Sequence, residues 1–140
     1  MINQAENDLI VAAIQAAEQQ TSGEIRVHID QKCSSDPVKR AIAVFEKLGM
    51  HRTELRNGVL IYVSFKDRKL AIIGDQGIDQ VVPTDFWMST KEKMIACFQD
   101  NRFADGLIAA ISEAGIQLKT YFPHLENDTN ELSNEISTEA

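Results

Sequence analysis

Two cysteines and three prolines in 140 residues leave little covalent or rigid scaffolding. Cys33 and Cys97 lie far apart and form no CxxC pair, which argues against a disulfide framework and against a paired metal or redox site. Long apolar runs are missing as well. The stretch LIVAAIQAA is too short to span a bilayer and is flanked by polar residues, and no basic segment precedes Glu6, so no integral membrane segment and a cytoplasmic location are expected. Neither GxGxxG nor GK[ST] occurs, which removes the usual glycine signatures of nucleotide binding. Basic residues are the minority: 14 Lys plus Arg stand against 21 Asp plus Glu, a formal net charge of -7. Nucleic acid and anionic membrane are therefore poor partners for the chain as a whole.

What is present suits one compact domain. The mass is 15.6 kDa and 44% of residues are hydrophobic, enough for a single core. The acidity is unevenly spread. Glu126, Asp128, Glu131, Glu135 and Glu139 follow Leu125 without any Lys or Arg, so residues 1–125 keep 14 basic against 16 acidic residues, a net charge of -2. A domain over residues 1–123 and an acidic, flexible tail over 124–140 are expected, because the tail has little apolar surface to offset the entropy of ordering it. Within it, a Leu132/Ile136 helical stripe offers one short turn or two for docking.

Periodicity supplies the elements. Ile10, Ala13, Ile14 and Ala17 mark one face of a helix over about 3–20. Thr21-Ser22-Gly23 breaks it, and Glu24 to Ile29 alternates as a strand with Ile25, Val27 and Ile29 inward. His28 then points to the other face, where no local ligand spacing completes a site. Ser35-Asp36-Pro37 reads as a helix start with Ser35 as cap, followed by Val38, Ala41, Ile42, Phe45 and Leu48 on one face and Gly49 as the stop. Cys33 falls in the preceding polar loop as an exposed thiol, whereas Cys97 belongs to a later helical core. The loop from Met50 to Gly58 is polar and locally basic.

Val59 to Phe65 is the strongest strand pattern, and Lys66 to Lys69 turns it into Leu70-Ala71-Ile72-Ile73 as a hairpin. The near-continuous apolarity of its first arm suits a central strand, and the crossover through residues 36–48 makes that arm parallel to the first strand. Gly74 to Asp79 forms a glycine-rich loop. A helix over about 90–98 follows, with Met94, Ile95 and Phe98 inward, and a last helix from Phe103 to about Thr120 accepts Gly106 and Gly115 for close packing against the sheet. The class expected is α/β: a three-layer α/β/α sandwich around a mixed, mainly central β-sheet.

The ordered segments Ser22-Gly23-Glu24-Ile25-Arg26-Val27, Asn57-Gly58-Val59-Leu60-Ile61, Asp67-Arg68-Lys69-Leu70, Gly74-Asp75-Gln76-Gly77-Ile78 and Phe103-Ala104-Asp105-Gly106-Leu107 resemble the TPM domain, the family named for thylakoid lumen protein, Psb32 and MOLO-1. The likeness covers most of residues 1–120. It implies an α/β/α sandwich, and for plant members acid phosphatase activity, bound calcium and a part in photosystem repair. Arg56 stands where the family often has an acid, and Gly74-Asp75-Gln76-Gly77 replaces its more typical GYG-like turn.

Two functions stay open at this point. The first is an accessory or protein-interaction module of unresolved biochemical activity, with an unidentified protein partner and with Phe86 and Trp87 as contacts. The second is a weak metal-dependent phosphate-monoester hydrolase. In it Asp75 and Asp79 anchor a Ca2+ or Mg2+ ion, Asp85 completes the shell or orients water, and Arg56 meets the phosphate. That second function requires Asp75, Asp79 and Asp85 to converge. No nucleophile is assigned.

Overall fold

The computed structural model describes residues 2–124 and 132–138. Helix α1 spans Gln4–Glu18 and opens with a capping box, in which the Glu6 N–H donates to Asn3 and the Asn3 N–H donates to Glu6. Strand β1 is Glu24–Asp30, α2 is Pro37–Lys47, β2 is Gly58–Ser64 and β3 is Lys69–Gly74. A four-residue helix α3, Gln76–Asp79, stands where a glycine loop was expected. Helices α4 (Met88–Gln99) and α5 (Phe103–Tyr121) follow, and strand β4 is Ser137–Thr138.

The strands make one mixed sheet in the order β3-β2-β1-β4. β1 and β2 run parallel with Glu24 opposite Gly58 and Asp30 opposite Ser64, while β2 and β3 form the antiparallel hairpin. Every residue of β2 is buried, so both faces of the central strand are covered, as the α/β/α class requires. The class is the one expected from the sequence.

Contacts divide the chain into two units. One unit holds the described residues of Met1–Gly23 and Pro83–Thr129, the other those of Glu24–Val82 and Asn130–Ala140. The first is helical. α5 packs on α1 and α4, and its glycines sit where a side chain would collide: a Cβ on Gly115 would lie 2.9 Å from the Ala17 Cβ, and one on Gly106 would lie 2.7 Å from the Phe98 ring. The close packing expected of these glycines is thus against neighbouring helices. Within the same unit the Thr21 hydroxyl and the Ser22 N–H both donate to the Phe122 carbonyl.

The second unit contains the sheet and α2. Ala41, Val44 and Phe45 of α2 bury with Leu60, Tyr62, Ala71, Met50 and Cys33. Val38 and Ile42 are 45% and 46% exposed, so the buried stripe is rotated from the expected one toward Val44. The cap of α2 is Asp36, whose carboxylate accepts the Val38 N–H, in place of Ser35. The cysteines exchange their expected settings: Cys33 is buried and Cys97 only partly so. Cys33 is drawn in because its N–H donates to Asp67 and its carbonyl accepts from Lys69, which folds the polar loop over the sheet end. Ile95, expected inward, is 43% exposed beside the fully buried Met94.

The tail contributes more than a helical turn could. Leu132 packs partly buried on the core of the second unit, and Ser137–Thr138 pairs in parallel with His28 and Ile29 of β1. The pairing uses backbone donors at a sheet edge, which composition and helical periodicity do not register. Glu126, Asp128, Glu131 and Glu139 lie outside the described residues.

Candidate functional site

Two polar clusters occupy the second unit. The first is built on the loop singled out from the sequence. The Gly77 N–H donates to the Arg56 carbonyl, and a Cβ at Gly77 would lie 2.4 Å from the Leu55 carbonyl oxygen and 2.6 Å from that of Arg56, so only glycine lets the two loops meet. Arg56 itself holds a left-handed backbone, φ 53°, a strain of about 1 kcal/mol for a residue with a Cβ. The close approach aims its side chain. Arg56 Nε donates to Asp75 Oδ2 at 2.8 Å and Nη2 to Oδ1 at 3.0 Å, while Asp75 also caps α3 by accepting the Gln76 N–H.

Asp79 belongs to the same short helix. Desolvation of its carboxyl and, second, the negative charge of Asp75 raise its pKa above the ordinary carboxylate value. Asp75, Asp79 and Arg56 are thus brought into one neighbourhood. Asp85 is exposed and lies in the other unit. Among the described residues, no group of three or more His, Cys, Asp or Glu is gathered so as to hold a metal ion. Both Asp75 oxygens carry an arginine bond, and a divalent ion would have to displace that guanidinium. As placed, Asp75 is engaged in an ion pair with Arg56.

The second cluster was not anticipated. Asp30 ends β1, is 1% exposed, and accepts hydrogen bonds from three side chains. His28 Nε2 donates to Oδ1 at 2.7 Å, the Tyr62 hydroxyl donates to Oδ2 at 2.7 Å, and Arg40 from α2 gives Nε to Oδ2 at 2.8 Å with Nη2 at 3.3 Å from Oδ1. Burial by itself would raise the carboxyl, but the bonds from Arg40, Tyr62 and His28 outweigh it and bring the pKa down to about 2. Burial, then Cys33 and the Asp30 carboxylate, push the Tyr62 phenol well above its ordinary value, so it stays a donor. The His28 ring lies parallel to that of Tyr62 with centroids 5.9 Å apart, and its Nδ1 is 3.0 Å from the Ser137 hydroxyl.

The signal for this cluster was short. His28 and Asp30 share one strand face two residues apart, a spacing that also describes an ordinary solvated edge. Their partners come from α2, β2 and β4, and only pairing brings them together.

The aromatic residues expected as contacts lie in the first unit. Phe86 and Trp87 meet edge to face with centroids 4.7 Å apart, and Phe86 meets Tyr121 in the same manner at 5.7 Å. Phe86 and Trp87 are half-buried, while Met88 and Tyr121 beside them in sequence or in ring contact are 57% and 39% exposed.

The fold defines a domain class shared with known proteins. The profile of the TPM domain matches residues 1–117, and the chain belongs to that family. The solved structure of the BA42 protein from the psychrophilic bacterium Bizionia argentinensis is 43% identical, with a TM-score of 0.94 over 99% of this chain and 96% of that one. Two more distant structures share the fold. The N-terminal domain of a P.gingivalis protein is 15% identical with a TM-score of 0.73, over 89% of this chain and 82% of that one. The N-terminal domain of the cg2496 protein from Corynebacterium glutamicum is 12% identical with a TM-score of 0.66, over 100% and 81%. No curated protein matches the chain. The protein is a TPM-domain module, and no helix among the described residues is long and apolar enough to cross a membrane.

Proposed function

We propose that this TPM-domain module is an accessory factor that binds another protein through the surface of Phe86, Trp87, Met88 and Tyr121. The observation that carries this reading is the half-exposed aromatic cluster: rigid aromatic rings held edge to face, next to an exposed methionine, are the side chains that protein interfaces favour. The partner it suits is a polypeptide presenting apolar side chains to those rings. A cytoplasmic location is part of the proposal, and the unpaired thiols Cys33 and Cys97 are consistent with a reducing compartment.

The competing reading is metal-dependent hydrolysis of a phosphate monoester, with Ca2+ or Mg2+ at Asp75 and Asp79 and with Asp85 and Arg56 in supporting roles. It asks Arg56 to leave Asp75 and asks Asp85 to join from elsewhere. One experiment separates the two. A photo-crosslinking residue in place of Met88 is expected to capture one discrete protein in cells, and Trp87→Ala is expected to abolish that capture while phosphate-ester turnover with either cation stays at background. Turnover that disappears together with cation binding in still-folded Asp75→Ala and Asp79→Ala would establish the hydrolase and sink the accessory reading.

A further inference from the structure

The cluster around Asp30 contains an arrangement that neither reading above uses. Asp30 is ionised and cannot donate, so the proton on His28 Nε2, 2.7 Å away, belongs to histidine. A neutral imidazole protonated there has a lone pair on Nδ1. In that neutral form the lone pair faces the Ser137 hydroxyl at 3.0 Å, and the hydroxyl is then the donor. Serine, a base that takes its proton and a buried carboxylate that fixes the tautomer of the base are the parts of a nucleophilic triad, which is recognised by geometry and roles and not by chain order. The ring nitrogens exchange their more familiar places, with Nδ1 toward serine.

The base is rigidly placed. Arg40 and Tyr62 hold Asp30, the Tyr62 ring lies parallel to His28, and His28 is only 4% exposed. Ser137 is half-exposed at the outer strand of the sheet, whereas His28 and Asp30 are buried. A histidine switch on tail pairing is less well supported, because a serine hydroxyl accepts from a protonated imidazole as readily as it donates to a neutral one.

We propose that Ser137 is a nucleophile activated by His28, with Asp30 as a positioning residue, and that the chain hydrolyses small activated acyl esters through an acyl-serine. The Ser137 Oγ bonds to the ester carbonyl carbon as its proton passes to His28 Nδ1. The bond to the leaving oxygen then breaks, and Nδ1 returns the proton to the departing alcohol. Water adds to the acyl-serine while giving a proton to Nδ1, the carboxylic acid leaves, and Ser137 recovers its proton. The class is restricted to small esters because only the serine stands at an open edge.

The test uses the full 140-residue chain with p-nitrophenyl acetate and with a fluorophosphonate. One acyl or phosphonyl group is expected on Ser137 by peptide mass spectrometry, with no adduct in Ser137→Ala. His28→Gln is expected to slow modification by at least about a hundredfold, the usual contribution of a general base. Asp30→Asn should change the pH profile of modification, because an amide can select the other histidine tautomer. No adduct on wild-type Ser137, or equal rates in His28→Gln, would overturn the proposal. A Ser137→Ala protein whose only change is faster amide exchange at Thr138 would identify the hydroxyl as a structural latch and overturn it as well. The accessory reading is untouched by either outcome, since it rests on the other unit.

Discussion

Asp30 and Asp75 each accept two hydrogen bonds from an arginine, Arg40 in one case and Arg56 in the other, and both carboxylates are almost fully buried. Their remaining partners differ. Asp30 sits at the end of a central-sheet strand and gathers a phenol and an imidazole as well, so every charge in the cluster is compensated inside the fold. Asp75 caps a single helical turn beside a second acid, and its arginine comes from a loop in a strained conformation. A buried ion pair made on a strand is thus part of the core. The similar pair made on a loop is a local brace whose members can be rearranged at lower cost.

The largest expected effect tests that contrast directly. Asp30→Ala leaves Arg40, Tyr62 and His28 without their common acceptor and should cost about 3–5 kcal/mol, read as the loss in unfolding free energy by urea. Replacing Arg56 by Gln should shift the urea midpoint less than Asp30→Ala does; an equal shift would show that the loop pair is as integral as the strand pair.

Next in size is acid sensitivity. Asp30 has a folded pKa of about 2 against an unfolded value of about 3.9, so its contribution is fully present above pH 4 and is lost as pH falls toward 2. Roughly 2 kcal/mol of stability should disappear across that window. Urea unfolding at several acidic pH values would show it, and a flat profile there would break the comparison. Gly77→Ala should cost about 1–3 kcal/mol, because the added Cβ meets two backbone carbonyls that cannot rotate away. An unchanged unfolding midpoint would mean that the two loops do not need their close approach.

Asp79→Asn is the smallest effect and has the opposite sign. Its raised pKa means that the ionised carboxylate is disfavoured in the fold, so removing the charge should stabilise the protein slightly at neutral pH, by no more than about 0.5 kcal/mol at an exposed position. The gain should vanish below the unfolded carboxylate pKa, where both proteins carry a neutral group.

The two clusters were unequally legible. Asp75, Asp79 and Arg56 could be found because glycine and acid crowd one short segment, and the nearness of Arg56 follows from the two glycine-marked ends of the hairpin. Asp30 carried no such mark: an alternating polar face reads as a solvent face, whereas Glu24, His28 and Asp30 of β1 are buried. Cys33 and Val38 were misplaced for a related reason, since burial of a loop or a shift of a helical stripe depends on contacts with distant residues. Ser137 was hidden in a segment whose composition argues for disorder, although two backbone pairs and one hydroxyl bond suffice to seat it.

Local pattern by itself determined the four longer helices, the parallel crossover, the hairpin and the α/β/α class, because periodicity and turn chemistry act over a few neighbouring residues. Those same few residues also carried the family resemblance. Tertiary structure alone decided which charges meet. Sheet pairing and the seating of α2 set Asp30 among groups from three chain segments, and they placed the serine of an acidic tail against a buried histidine, at sequence separations where no residue pattern records the distance.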